Sequence, residues 1–314
     1  MDDIILVTGG AGFIGSHLVE ALLHQGYTVR VLDDLSTGHL DNLQHLPSPP
    51  ELIRASVTDS DALDQALRNV RVVFHLAALA SVARSMEQPV ATHHACATGT
   101  LVLLDRARRQ QVQRIVYAAS SSAYGGLQGP DRAQSESLPV QPKSPYAAAK
   151  LAGELYLQAF GHAFGLQTVA LRFFNIFGPR QRADSPYSGV IPLFIAAMLQ
   201  GRSPTIYGDG MQSRDFTYVE NAVQALLRAA FTPRIPAPTY NVGTGRSISI
   251  LQLVDALNRI LGTNLPPRFA PPRPGDVRYS CADIRRIQHD LDYRPTVSFE
   301  EGLERTVEWF RTQS

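Results

Sequence analysis

Val7-Thr8-Gly9-Gly10-Ala11-Gly12-Phe13-Ile14-Gly15 follows directly on the apolar run Ile4-Ile5-Leu6-Val7 and leads into a segment of helical period over residues 14–25. A strand, a Gly10-x-Gly12-x-x-Gly15 turn and a helix, in that order, form the fingerprint of a dinucleotide site. Glycine lets the chain turn tightly and brings backbone close to a pyrophosphate, whose charge then rests on the helix N-terminus. Three glycines alone would also suit an ordinary strand-to-helix turn. Asp33 narrows the reading: it ends the second strand pattern, 18 residues beyond Gly15. A carboxylate there accepts hydrogen bonds from an adenosine ribose and repels a 2′-phosphate, so NAD is expected rather than NADP.

Outward from this turn, apolar and β-branched runs at 4–8, 28–33, 51–54, 72–76, 114–118 and 168–173 alternate with helical patterns at 14–25, 62–69, 90–110 and 145–164. That rhythm predicts an α/β fold with a doubly wound parallel Rossmann sheet over residues 1–175. Beyond 175 the rhythm is lost and proline and glycine become frequent. Helices are expected at 186–200, 219–230, 250–261 and 299–311, and short strands at 205–207 and 239–242. Residues 176–314 are read as a smaller α/β substrate-binding domain, with some segments returning to the first. The proline-rich stretch 266–274 reads as a rigid connection.

The 314 residues carry 29 basic and 28 acidic side chains, a net charge of +1 that offers no footprint for nucleic acid or an anionic membrane. Two cysteines, Cys96 and Cys281, rule out a disulfide framework and suit the reducing cytoplasm. The acidic start Met1-Asp2-Asp3 does not read as a signal peptide, and no run approaches the ~20 apolar residues of a membrane span. His93, His94 and Cys96 lie close in sequence, but adjacent helical residues point apart and no second ligand group accompanies them. No metal is expected.

Ser144-Pro145-Tyr146-Ala147-Ala148-Ala149-Lys150 opens a helix, with Ser144 as N-cap and Pro145 at the first position. Tyr146 and Lys150 then share a face at i, i+4. A lysine beside a tyrosine favours the phenolate, so a group of ordinary pKa ~10 can serve as a base nearer neutrality. The run Ala118-Ala119-Ser120-Ser121-Ser122-Ala123-Tyr124-Gly125 lies just past a strand, at the carboxyl edge where open α/β sheets bind ligands. A serine there can hold a reacting oxygen; the same run could equally cap its own backbone.

These motifs, with Phe74-His75-Leu76-Ala77-Ala78, Leu171-Arg172-Phe173-Phe174-Asn175, Gly208-Asp209-Gly210, Ser213-Arg214-Asp215-Phe216 and Arg273-Pro274-Gly275-Asp276, resemble the extended short-chain dehydrogenase/reductases, the NAD-dependent epimerase/dehydratase group. The resemblance implies Ser120, Tyr146 and Lys150 as catalytic residues. It implies cofactor contacts from Gly9, Gly12, Phe13, Ile14 and Gly15, from Asp33, Asp34, Ser36, Thr37 and Gly38, from Val57, Leu76, Ala77, Ala78 and Phe174, and from Tyr146 and Lys150 as well. The substrate, a nucleotide sugar, is expected to meet Ser81, Ser121, Ser122, Asn175, Val190, Tyr207, Arg214, Arg273, Asp276 and Ser280.

Dehydratases of the group carry an Asp-Glu pair after the catalytic residue; here Ser121 and Ser122 stand there, which disfavours elimination. Residues 180–192 resemble bacterial UDP-hexose 4-epimerases. The small Ser280, where an aromatic restricts some members, leaves room for an N-acetyl sugar. The expected activity is therefore 4-epimerisation of UDP-GlcNAc/UDP-GalNAc, together with UDP-Glc/UDP-Gal, through a 4-keto sugar. A UDP-glucuronate 4-epimerase, a nucleotide-sugar dehydratase and a non-catalytic NAD sensor are the alternatives. The resemblance also implies a homodimer through the helices at 90–110 and 145–164. Three positions depart from the group's pattern, Ala55-Ser56, Cys96 and Ala80, and each is expected to weaken a cofactor contact rather than the chemistry.

Overall fold

A computed structural model describes residues 4–46, 48–127, 129, 132–185, 188–272 and 277–313. Seven strands form one sheet: β1 (Ile4–Thr8), β2 (Thr28–Leu32), β3 (Glu51–Ile53), β4 (Val70–His75), β5 (Arg114–Ser120), β6 (Gln167–Phe173) and β7 (Thr239–Val242). Their order is β3-β2-β1-β4-β5-β6-β7, and every neighbouring pair is parallel. Strand order reverses between β1 and β4, and such a switch point leaves a crevice at the carboxyl ends of the strands.

Alternate residues of a strand face opposite sides of the sheet, and both sides are covered. Val7, Val31 and Phe74 pack with Leu18, Leu22 and Leu226 from helices Phe13–His24 and Val219–Phe231. Leu6, Leu32 and Val73 face the other way, against Leu103, Leu104 and Leu157 from Gly99–Arg109 and Pro145–Phe164. This explains the unbroken apolar run of β1, which is buried on both faces. β7 comes from the second half of the chain and completes the sheet beside β6.

The remaining residues surround a separate apolar core. Phe177 sits among Phe216, Tyr218 and Phe299, with ring centroids 6.3, 5.7 and 5.8 Å away. Helices Val190–Leu199, Ile250–Leu261 and Phe299–Thr312 close over it. Only two-stranded pieces support this region: Phe216–Tyr218 on Asn175–Phe177, Ser213–Arg214 on Ile248–Ser249, and Arg268–Ala270 on Thr205–Tyr207.

One expected helix is corrected. Residues 90–110 do not form a continuous α-helix; Pro89–His93 and Gly99–Arg109 are separated by a π-helical turn, His94–Thr98. Gly99 lies so close to the sheet side that a Cβ there would stand 2.4 Å from Val57 Cγ1. The widened turn coincides with this close approach, and π-turns are frequent beside functional sites. Among the described residues no helix is long and apolar enough to cross a membrane.

Candidate active site

A cleft of about 1130 Å³ opens at the carboxyl ends of the central strands. On its first wall the glycine turn is built by backbone. Gly9 has φ +72°, and a Cβ there would lie 2.7 Å from the Ala77 nitrogen; a Cβ on Gly15 would lie 2.1 Å from the Gly9 carbonyl oxygen. Both therefore serve contacts between main chains. Gly12 differs. It is the N-cap of helix Phe13–His24, without any side-chain cap, and a Cβ there would meet only the Gly9 oxygen, at 3.2 Å. The turn is thus a cradle facing the cleft, where helix N–H groups suit a phosphate.

The buried Asp33 stands at the end of β2. Its Oδ2 accepts from the Ala11 N–H and its Oδ1 from the Leu35 N–H, both at 2.9 Å. Burial raises its pKa, and these two donors oppose the rise. A carboxylate has about four lone-pair sites, so acceptor capacity remains for a ribose diol. The cradle and this acid fit NAD.

At the centre, helix Pro145–Phe164 begins as its residues dictate: Ser144 Oγ accepts from the Ala147 N–H at 3.2 Å, and Gly165, in the left-handed conformation at φ 70°, ends it. Tyr146 hydrogen-bonds Ser120, the last residue of β5. Ser120 Oγ also accepts from the Ser122 N–H and pairs with Ser122 Oγ at 2.8 Å. Lys150 is buried, with Nζ 4.2 Å from the centre of the Tyr117 ring. Among the described residues no carboxylate pairs with it.

Burial draws the Lys150 pKa down to about 8, and Cys96 partly opposes this. Burial pushes the Tyr146 phenol upward, with the Ser120 hydrogen bond in opposition. Burial outweighs the Ser120 hydrogen bond at the phenol. A further positive charge is needed in the cleft.

The floor beneath is tied across elements. His75 bridges Thr8 Oγ1 at 2.8 Å and Thr100 Oγ1 at 2.9 Å, and Thr100 donates to the Cys96 carbonyl at 2.6 Å. Burial, with help from the Lys150 charge, lowers the His75 pKa to about 3, so this imidazole is neutral. Cys96 packs with Ala149 and Tyr146 inside the π-turn and interacts with Lys150. It is buried next to Tyr146 rather than lining the cleft, whereas Ala55, Ser56 and Ala80 line it.

Helix Pro145–Phe164 is also anchored to β6 and β7. Arg172 holds Glu154 at 2.6 and 3.0 Å, and Thr239 donates to the same carboxylate at 3.1 Å.

The opposite wall depends on buried polar side chains. Asp215, wholly buried, accepts from the Thr244 N–H and hydroxyl, both at 2.8 Å, from the Gly245 N–H at 2.9 Å and from the Ala282 N–H at 3.1 Å. Three separate segments are thereby held together. Arg214 lines the cleft beside this staple, and its guanidinium donates to the Ser213 carbonyl at 2.9 Å.

Every expected cofactor residue lines the cleft except Gly38, whose backbone packs against the Asp33 carboxylate. Of the expected substrate residues, Ser81, Ser121, Ser122, Asn175, Val190, Arg214 and Ser280 line it. Tyr207 does not; it is exposed on the short strand Thr205–Tyr207. Arg273 and Asp276 lie outside the described residues. Asn42, Gln134 and Arg180 also line the cleft without having been expected. Asn42 donates to the Ala11 carbonyl at 2.9 Å, and Arg180, at φ 65°, pairs with Glu20. Gln134 and Arg180 sit in loops and Asn42 in the short helix Asp41–Gln44, stretches of weak periodicity where a polar residue reads as solvent-facing.

A family model, the NAD dependent epimerase/dehydratase family, matches residues 5–243. The UDP-glucose 4-epimerase of Mycolicibacterium smegmatis is 39% identical over 313 residues, 98% of this chain and 99% of that one. A solved structure of a UDP-N-acetylglucosamine 4-epimerase from Methanobrevibacter ruminantium, in complex with UDP-N-acetylmuramic acid, is 39% identical with a TM-score of 0.93 over 100% of both chains. That of a UDP-glucose 4-epimerase from Thermotoga maritima with UDP-glucose is 38% identical, also with a TM-score of 0.93, over 99% of each. With likeness of this extent in both sequence and fold, the chain belongs to the NAD-dependent epimerase/dehydratase family.

Proposed function

We propose that this protein is an NAD-dependent 4-epimerase of UDP-hexoses, acting on UDP-GlcNAc/UDP-GalNAc and on UDP-Glc/UDP-Gal through a transient 4-keto sugar. The observation that carries the reading is the Ser120–Tyr146–Lys150 cluster in a cleft with no acid beside it. The carboxylates lining the cleft, among the described residues, are Asp33 and Asp34 beyond β2 and Asp184 in the loop before helix Val190–Leu199. Elimination of water needs an acid and a base next to the sugar, and Ser121 and Ser122 offer neither. The three similar enzymes described above are epimerases as well.

In this reading the Tyr146 phenol oxygen takes the proton of the C4 hydroxyl and later returns it. Ser120, already bonded to Tyr146, holds the same sugar oxygen. Lys150 keeps a positive charge near the phenol and donates to the cofactor's ribose. NAD, held by the glycine cradle and Asp33, would supply reversible hydride acceptance at C4 and a positive charge that favours the Tyr146 phenolate. Arg214, with Arg273, binds the diphosphate as a bidentate donor. A homodimer is part of the proposal: Val90, Leu155 and Tyr156 expose apolar surface on the segments expected to form it, and light scattering would measure it.

The test is incubation of purified protein with UDP-GlcNAc, UDP-Glc and UDP-GlcA separately, without added reductant, followed by NMR of the sugars. The 4-epimers of the first two are expected. Conversion of UDP-GlcA alone, or formation of a 4-keto-6-deoxy product, would contradict the proposal.

A further inference from the structure

Gln134 is 1% exposed and lines the cleft, as does Ser280, its side-chain partner. Its backbone is fixed on both sides: the N–H donates to the Cys281 carbonyl at 2.8 Å, and the C=O accepts from Asn241 Nδ2 at 2.7 Å and from the Asp283 N–H at 2.9 Å. One end of the carboxamide is engaged, since Oε1 accepts from Ser280 Oγ at 3.3 Å. The other end, Nε2, is buried without any hydrogen-bond partner. Buried donors are almost always satisfied in native proteins, and leaving one unmade is costly. An unmade donor in the wall of a substrate cleft points to an acceptor on the substrate.

The chemistry of the wall narrows that acceptor. The carboxamide and the Ser280 hydroxyl on it are both neutral, so a carboxylate placed against Nε2 would lose its water for one neutral donor. A hydroxyl would bring a donor of its own, while the carboxamide oxygen beside it is already occupied. An acyl carbonyl accepts without donating and matches a wall with one donor to spare. We propose that Gln134 is a specificity-determining residue whose carboxamide N–H binds the acyl oxygen of an N-acylated hexose, with Ser280 holding the amide in that orientation. This rests on the epimerase reading above and names the residue that selects among its substrates.

A site built to hydrogen-bond a group discriminates more strongly than one that only leaves room for it. The experiment compares kcat/KM for UDP-GlcNAc with that for UDP-Glc in wild type and in Gln134→Leu, with bound NAD measured in both. The ratio is expected to fall about tenfold or more, chiefly through a higher KM for UDP-GlcNAc, whatever loss the two substrates share. Gln134→Met keeps the length of the side chain while removing the donor; it should give the same fall, and it answers the question if the leucine variant does not fold. An unchanged ratio in a folded, NAD-loaded variant overturns the assignment of Gln134. Absence of UDP-GlcNAc turnover in wild type overturns the substrate reading itself, and the two failures are told apart by the protein in which they occur.

Discussion

The two walls of the cleft are held by different means. Around Gly9, Gly15 and Ala77 the cofactor wall is main chain against main chain, set on a continuous parallel sheet. The opposite wall has, among the described residues, two-stranded pieces beneath it, and its loops converge on single buried side chains such as Asp215 and Asn241. A wall made of backbone repeats a geometry that any sequence with glycine in the right places can adopt. A wall made of buried polar groups depends on each one, because an unsatisfied partner in the interior is expensive.

The comparison is most exposed at Glu154, a polar staple on the cofactor side. Replacing it with Leu strands the buried Arg172 guanidinium, so unfolding free energy should fall by about 3–5 kcal/mol. Denaturant titration measures this, and the double variant with Arg172→Met should recover much of the loss. A small effect of the single change would mean that the sheet alone holds helix Pro145–Phe164.

Gly15→Ala and Gly12→Ala sharpen the contrast within the glycine turn. The first overlaps the Gly9 carbonyl and should cost about 1–3 kcal/mol as well as NAD retention. The second meets only the Gly9 oxygen, at 3.2 Å, and otherwise fills the cradle, so NAD content should drop with a much smaller change in the unfolding midpoint than for the first. Loss of stability in both would remove the distinction between packing and ligand glycines.

Asp215→Asn probes the other wall. It replaces an acceptor with a donor facing the Gly245 and Ala282 N–H groups, at about 1–3 kcal/mol. Its KM for the UDP-sugar should rise while bound NAD is unchanged; loss of NAD first would show that the walls are not separable.

The smallest effect is a titration. The chain has only two lysines, the exposed Lys143 and the buried Lys150. Lysine-selective NMR of cofactor-free protein should therefore show two side chains, with Lys150 titrating near pH 8, below its ordinary 10.5. Because the folded state binds this proton more weakly than the unfolded chain, Lys150 favours folding above about pH 10.5, and that contribution is lost as pH falls through 8. A midpoint near 10.5 would mean that the amine stays solvated.

How much of this was legible in the sequence follows the same division. Helix Pro145–Phe164 runs between the residues expected because Ser144, Pro145 and Gly165 mark its ends. Ile250–Leu261 does so too, capped reciprocally by Ser249 and Gln252 and ended by Gly262. The strands show themselves through apolar runs that only a sheet covered on both sides requires. The π-turn at Cys96 left no periodic trace, since it answers a contact with Val57, far away in sequence. Asp215 and Gln134 lie in stretches where an acid or amide ordinarily faces water, and only folding shows them buried. The pairing of Tyr146 with Lys150 was visible; burial raising the phenol pKa was not, because desolvation depends on everything packed around it.

The central claim is that Tyr146 carries the proton in a reversible oxidation at C4. Its most direct test is turnover of UDP-GlcNAc and UDP-Glc by Tyr146→Phe, with bound NAD measured in the same sample. The account predicts a folded protein that retains NAD and converts neither sugar at a detectable rate. Turnover within about tenfold of wild type, where loss of a general base should cost about 10²–10⁴-fold, would contradict it.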